Sequence, residues 1–198
     1  MHFKSATQQT PRFSQEGTKG EFLSVELELK VLADVGLVGL PNAGKSTLLS
    51  VMTTAKPKIA DYPFTTLQPH LGIVKYGEYQ SFVMADIPGL IEGASEGKGL
   101  GHQFLKHIER NKILLFMIDI EEQNPIDIYN QLMDELVGFN KDLLDKDRLI
   151  VRTKIDIASE DVDERWSSFP EEFIDISSVS NQGLNTLKDK LVSFLSAS

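Results

Sequence analysis

Gly39-Leu40-Pro41-Asn42-Ala43-Gly44-Lys45-Ser46 fits the pattern G-x-x-x-x-G-K-[ST]. Val35-Gly36-Leu37-Val38 before it reads as a short buried strand, and Thr47-Leu48-Leu49-Ser50-Val51-Met52 after it reads as a helix. Strand, glycine-rich loop and helix in that order make an anion-binding unit. Gly39 and Gly44 let the backbone turn sharply and approach a ligand without a Cβ in the way. The freed N–H groups form a concavity at a helix N-terminus, where the peptide dipoles also favour negative charge. Lys45 can reach terminal phosphates, and the Ser46 hydroxyl is a ligand for Mg²⁺. A spare lysine in a glycine-rich turn would need neither neighbour, so the stretch implies a nucleotide phosphate site.

The 198 residues suit one main domain with a full hydrophobic core. Hydrophobic residues at 41% and charged residues at 25% are ordinary for a soluble globular protein. A formal net charge of −9 argues against a broad electrostatic grip on nucleic acid or on an anionic membrane. With no cysteine, disulfides and thiolate metal sites are excluded, and a cytosolic setting fits. The longest apolar run, Ile113 to Ile118, is far too short to span a bilayer, and no charged-then-apolar leader opens the chain. A soluble, cytoplasmic protein is expected.

Met1 to Gly20 is polar and turn-rich, with too few apolar residues for a core. Glu21 to Leu32 alternates, with Val25, Leu27 and Leu29 on one face and Glu26, Glu28 and Lys30 on the other. That strand pattern is either the end of an upstream domain, over residues 1–32, or an edge strand of the main sheet. From Ala33 onward strands and helices alternate, which predicts an α/β domain over residues 33–198. The expected architecture is a P-loop NTPase fold, a mostly parallel six-stranded sheet with helices on both faces. Ala55 to Pro69 reads as an irregular loop. Leu71–Tyr76 and Ser81–Asp86 read as a hairpin about Gly77–Gln80. Pro88 to Gly101 carries five glycines, and His102 to Arg110 reads as helical. Lys112–Asp119 is a buried strand, and Pro125–Leu144 a helix with Pro125 in its first turn. Leu149–Val151 is a strand, Ser159–Phe169 a helix, Phe173–Ile176 a strand, and Leu184, Leu187, Leu191 and Leu195 mark a closing amphipathic helix.

Three further segments narrow the chemistry. Asp86-Ile87-Pro88-Gly89 ends a strand, as a D-x-x-G carboxylate should; Asp86 can hold Mg²⁺ through water, and the Gly89 N–H can sense a γ-phosphate. A plain turn also fits those four residues. Thr65-Thr66 lies where a hydroxyl could complete a Mg²⁺ shell only with a γ-phosphate present, which would make the loop an order–disorder switch; the other reading is an exposed Thr pair. Phe64 beside it is a packing residue or a ligand contact. Thr153-Lys154-Ile155-Asp156 follows a strand, where a base-reading N-K-x-D sits. Asp156 can accept from guanine N1–H and N2–H₂, a donor pair that adenine lacks. The stem of Lys154 can lie on the purine face. Ser177-Ser178-Val179 is placed to offer a backbone N–H to guanine O6, or is simply a helix-entry loop.

These residues together resemble the GTPase domain of the Obg family (also called CgtA), bacterial GTPases associated with the large ribosomal subunit. The similarity lies in Gly39–Ser46, Asp61-Tyr62-Pro63-Phe64-Thr65-Thr66, Asp86 to Ala94 and Gly97–His102. It covers nearly the whole chain, and His2 to Lys30 is similar to the tail of that family's glycine-rich N-terminal domain. The chain therefore reads as an excised GTPase domain of Ras-like fold. The resemblance implies that Gly39, Leu40, Pro41, Asn42, Ala43, Gly44, Lys45 and Ser46 bind phosphates of GTP or GDP, with Ser46, Thr66 and Asp86 at Mg²⁺. Phe64, Thr65, Thr66, Leu67 and Gln68, with Asp86, Ile87, Pro88 and Gly89, would respond to the γ-phosphate. Thr153, Lys154, Ile155, Asp156, Ser177, Ser178 and Val179 would bind guanine. The expected partner is a large-subunit ribosomal particle, engaged through domains outside this chain, with no membrane and no direct nucleic-acid contact.

Thr153 stands where that family usually has Asn. A hydroxyl keeps one hydrogen bond but not the bidentate amide geometry, so weaker nucleotide affinity with guanine preference retained is expected. Leu90 occupies the position where Ras-like proteins place a water-orienting Gln, which implies slow hydrolysis. The residues assigned to catalysis are Lys45, Thr66, Gly89 and Asn42, the last resembling a loop Asn that holds K⁺ beside the phosphates; capping its own backbone is its other reading. His102 and His107 read as solvated. A nucleotide-gated binding module with negligible turnover, and a P-loop ATPase or small-molecule kinase, are the competing readings.

Overall fold

The structure is a computed structural model that describes residues 17–25, 33–55, 57–59, 69–86, 111–159 and 162–197. Its centre is β1 (Val35–Gly39), buried at all five positions. β1 lies between β4 (Gln80–Asp86) and β5 (Ile113–Asp119), parallel to both, with Val35 opposite Met84 on one side and Ile113 on the other. The sheet runs β2-β3-β4-β1-β5-β6-β7, where β2 is Lys58–Ile59, β3 His70–Tyr76, β6 Asp147–Thr153 and β7 Phe173–Asp175. β3 pairs antiparallel with β4 and with β2; β1, β4, β5, β6 and β7 are parallel. The six expected strands are present, and the two-residue β2 extends the sheet at its edge.

β5 shows why these strands read as continuous apolar runs. Leu114, Phe116 and Ile118 enter one buried cluster, while Ile113, Leu115 and Met117 enter another on the opposite face. Successive side chains point to opposite faces, and both faces are covered. The first is closed by α2 (Pro125–Phe139) through Tyr129, Leu132 and Leu136, with Trp166 of α3 (Val162–Trp166). The second is closed by α1 (Lys45–Met52) through Leu48, Leu49 and Met52, and by α4 (Leu184–Ala197) through Leu184, Leu187 and Leu191.

Several expectations need revision. The helix from Pro125 stops at Phe139, and a 3₁₀ turn, Lys141–Asp145, takes over. Asn140 divides them: its backbone is extended and its side chain accepts from the Asp142 N–H, a cap that restarts the chain in a new direction. α3 is shorter than the Ser159–Phe169 helix expected; the Ser167 hydroxyl donates to the Glu164 carbonyl just past its end. The strand expected over 21–32 is not seen at 21–25, where Phe22, Leu23 and Val25 are exposed and join no sheet among the described residues; 26–32 lie outside those residues. Alternation supplies two faces but no partner strand. The irregular loop expected over 55–69 contains β2 at its start. Residues 60–68, the glycine-rich 88–101 and the helix expected over 102–110, with His102 and His107, lie outside the described residues. No helix among the described residues is long and apolar enough to cross a membrane.

Candidate functional site

The carboxyl end of β1 is where the chain reverses its path through the sheet, passing outward to β4 on one side and then to β5 on the other. Open α/β sheets place ligand sites in that crevice. The loop Gly39–Ser46 occupies it. Asn42 and Gly44 take left-handed conformations, at φ 65° and 92°, and the Ala43 N–H closes a turn onto the Leu40 carbonyl at 3.2 Å. Asn is one of the few non-glycine residues that tolerates such a φ, which alone accounts for its presence at 42. Gly39 has a different cause from the one the sequence suggests. A Cβ there would sit 2.6 Å from the Met117 carbonyl oxygen of β5, so the neighbouring strand excludes a side chain. Lys45 folds back over the loop, its Nζ donating to the Gly39 and Leu40 carbonyls at 2.9 Å each. Pro41 and Asn42 are exposed, whereas Ala43 is anchored in the core.

The Ser46 hydroxyl donates to Asp86 Oδ2 at 2.5 Å, joining the start of α1 to the end of β4. Asp86 is 4% exposed, yet its Oδ1 is buried with no hydrogen-bond partner among the described residues. A buried carboxylate oxygen without a donor is costly unless something positive completes it. A hydroxyl and an orphaned carboxylate oxygen at the rim of an anion-binding loop are the donor set that suits Mg²⁺. Among the described residues no group of three or more His, Cys, Asp or Glu side chains forms a metal cluster. Phe64, Thr65, Thr66, Leu67, Gln68, Ile87, Pro88, Gly89 and Leu90 lie outside the described residues.

The base-reading candidates come together on the far side of the loop. Thr153 ends β6 at 3% exposure, and its hydroxyl lies 3.0 Å from the Ala43 carbonyl and 3.3 Å from that of Ile118. That contact ties the segment around Thr153 to the phosphate loop, 110 residues earlier in the chain. Lys154 turns the chain in a left-handed conformation (φ 61°) and donates to Asp119 Oδ2 at 2.5 Å, which fixes the far end of its side chain at the carboxyl end of β5. Ile155–Ile157 forms a 3₁₀ turn that presents Asp156 outward. The buried Ser177 hydroxyl donates to Asp156 Oδ1 at 2.5 Å while accepting the N–H groups of Val179 and Ser180. Ser178 is half-buried and Val179 exposed. The Asn181–Gly183 turn behind this loop is tight: a Cβ on Gly183 would lie 1.9 Å from the Asp175 carbonyl oxygen.

Sequence reasoning missed several residues that build the site. Arg152 is 8% exposed and forks onto Asp175, whose bonded carboxylate raises the guanidinium pKa further and holds the charge. A charged residue closing the apolar run Leu149-Ile150-Val151 was the available signal, since a buried strand carries a charge only with a partner. Asp119 ends a strand as Asp86 does. A hollow of about 360 Å³ lies instead at the amino ends of β1, β4 and β5, lined by Asp34, Gln80 and Lys112 among others. It touches none of the site residues, and it sits at the wrong end of a parallel sheet for a nucleotide.

Comparison with known proteins agrees with this geometry. Residues 34–154, more than half of the chain, match the family described as 50S ribosome-binding GTPase. Curated relatives named GTPase Obg include one from Pelodictyon phaeoclathratiforme, 60% identical over 96% of this chain and 57% of that protein. Another, from Flavobacterium psychrophilum, is 58% identical over 98% of this chain and 60% of that protein. The chain thus spans less than two thirds of the length of these relatives. Among solved structures, the G domain of the T. maritima FeoB iron transporter superposes with a TM-score of 0.60 at 26% identity, covering 81% of this chain and 97% of that one. Aquifex aeolicus Era bound to GDP·AlF4⁻ gives a TM-score of 0.60 at 28% identity, over 84% of this chain and 57% of that one. The loop, the carboxylate behind it and the match over residues 34–154 have one reading in common: the chain belongs to the 50S ribosome-binding GTPase family and is similar to GTPase Obg.

Proposed function

We propose that residues 33–198 form a guanine-nucleotide site that hydrolyses GTP slowly to GDP and phosphate and acts as a nucleotide-controlled switch. The observation that supports this reading best is the Thr153–Ala43 hydrogen bond, because it holds the segment around Thr153 against the loop Gly39–Ser46. In this reading Gly39–Ser46 hold the phosphates, and Lys45 exchanges its carbonyl partners for phosphate oxygens. Ser46 and Asp86 would hold Mg²⁺ together with Thr66; the orphaned Asp86 Oδ1 supports the fit. Held by those residues, Mg²⁺ would supply neutralisation of phosphate charge. Phe64–Gln68 and Asp86–Gly89 respond to the γ-phosphate. Asp156 reads guanine N1–H and N2–H₂, held by the Ser177 hydroxyl, with Lys154, Ile155, Ser178 and Val179 around the base. Leu90 offers no side chain to orient water, hence the slow turnover, and Asn42 is the candidate contact for K⁺.

The partner in this reading is a large-subunit ribosomal particle, in the cytoplasm. The net charge of −9 is in keeping with RNA contact through sequence outside these 198 residues. Displacement of a fluorescent GDP by unlabelled nucleotides tests the site. GDP and GTP should compete at least about 100-fold better than ADP and ATP, because adenine leaves the Asp156 carboxylate unpaired. Equal displacement by ATP overturns the guanine reading, and no single-turnover release of phosphate from bound GTP overturns hydrolysis.

A further inference from the structure

β7 is an edge strand of three residues, paired with β6 only at Ile150–Phe173, Val151–Ile174 and Arg152–Asp175. Parallel pairing is weaker per residue than antiparallel pairing, so this ladder alone holds β7 loosely. Yet β7 leads directly into Ser177–Val179, and β6 leads directly into Thr153–Asp156. Thr153–Asp156 is set by the long β5–β6 ladder, which runs to Asp119–Thr153, whereas Ser177–Val179 inherits its position from the last rung of the short, weak one.

That rung is reinforced in an unusual way. Arg152 Nε donates to Asp175 Oδ1 at 2.6 Å and Nη2 donates to Oδ2 at 2.7 Å, while Nη1 lies 3.4 Å from Asp163 Oδ1. The guanidinium also lies over the rings of Phe173 and Trp166, 4.9 and 5.5 Å from their centroids. Two parallel bonds fix rotation as well as distance, and the stacked rings hold the plane. Just beyond the fork, the Ile176 N–H donates to the Arg152 carbonyl at 2.9 Å and the Ile155 N–H to the Ile176 carbonyl at 3.3 Å. One residue further, the Ser177 hydroxyl reaches Asp156. The side-chain fork and the paired loops form one continuous run of contacts.

We propose that Arg152, acting with Asp175, is a positioning and specificity-determining residue for guanine: the fork sets the spacing of the β6 and β7 loops so that Asp156 and the Ser177–Val179 backbone meet the same purine. The proposal rests on the reading of Asp156 as the guanine acceptor. In this role Arg152 acts through Asp175 and the β7 strand rather than by contact with the base. A merely structural ion pair would change stability and leave base discrimination alone, whereas a positioning pair changes discrimination in protein that is still folded.

The discriminating probe is inosine diphosphate, which keeps the N1–H donor and lacks the 2-amino group. The full 198-residue chain is compared with Arg152→Lys, which keeps the charge but not the fork, and with Arg152→Met/Asp175→Leu, which replaces the pair by apolar groups without leaving a lone charge. Thermal unfolding monitors folding, and displacement of fluorescent GDP gives the affinities. The preference for GDP over IDP should fall about fivefold or more in both variants, since a misplaced carboxylate loses its second hydrogen bond first. Affinity for IDP should change by less than about threefold, because the phosphate contacts carry it. A preference unchanged within about twofold in either folded variant overturns the proposal, provided Asp156→Ala abolishes it; guanine reading by Asp156 then stands. If the parent chain shows no preference and Asp156→Ala changes nothing, the guanine reading falls and the proposal falls with it.

Discussion

The two ends of the site are built by different means. At the phosphate end, shape comes from the backbone: left-handed Asn42 and Gly44, a glycine that β5 forces at position 39, and a lysine resting on the loop's own carbonyls. At the base end the backbone also turns sharply, at Lys154 and Gly183, but the segments are tied together by side chains of residues far apart in sequence: Arg152 on Asp175, Ser177 on Asp156, Lys154 on Asp119. Main-chain conformation is set locally and tolerates few substitutions. A side-chain network is set by tertiary neighbours and can be altered piece by piece, so under the proposed function base preference can be tuned without disturbing phosphate binding.

Glycine replacement should break both ends most severely. Gly183→Ala places a methyl 1.9 Å from the Asp175 carbonyl oxygen, on a residue at φ 73°. Neither backbone can yield, and a loss of about 3 kcal/mol or more is expected in denaturant unfolding. Gly39→Ala, at 2.6 Å from the Met117 carbonyl oxygen, should cost about 2 kcal/mol by the same measurement. Equal stability of Gly183→Ala and the parent would show that the base-side turn is not fixed by contact.

Lys45→Ala attacks the phosphate end alone. It should lower GDP affinity about 100-fold, the loss of two charge-assisted hydrogen bonds, while the ratio of GDP to IDP stays put. A changed ratio in equilibrium titration would mean that the two ends are less separable than the structure implies. Thr153→Val cuts the link between them. Losing the hydroxyl contact to Ala43 should destabilise the fold by about 1–2 kcal/mol and weaken GDP and IDP binding alike, read by chemical unfolding and competition.

The smallest effect is a control remote from both ends. Burial, with a hydrogen bond to Glu171, pushes the Tyr129 hydroxyl up to about 12 from its ordinary 10.0. The unfolded chain loses this proton first, so the contribution is complete below pH 10 and is lost as pH rises through about 12. Tyr129→Phe should flatten the decline in melting temperature over that window and leave the ratio of GDP to IDP unchanged.

Legibility in the sequence followed the same division. The strand–loop–helix unit around Gly39–Ser46 was readable because its pattern encodes backbone needs residue by residue, and β5 and α2 were readable from period and composition. Even there the reason for Gly39 lay in Met117 of a distant strand. The break at Asn140 escaped notice because the apolar spacing continues past it to Leu143, which is buried from the 3₁₀ turn instead. The alternation of 21–32 implied a strand, yet residues 21–25 join no sheet among the described residues, since a face becomes a strand only when a sheet edge accepts it.

The amino-acid order by itself determined an α/β chain with a nucleotide-phosphate loop after its first sheet strand, and it nominated Asp86, Asp156 and Ser177 as chemistry-bearing residues. Those properties depend on local conformation and on period, which neighbouring residues define. The tertiary structure alone decided that Thr153 touches Ala43, that Asp86 keeps one oxygen unpartnered among the described residues, and that Arg152 clamps β7. Each of these depends on segments brought together by sheet order, and no short window of sequence contains both sides.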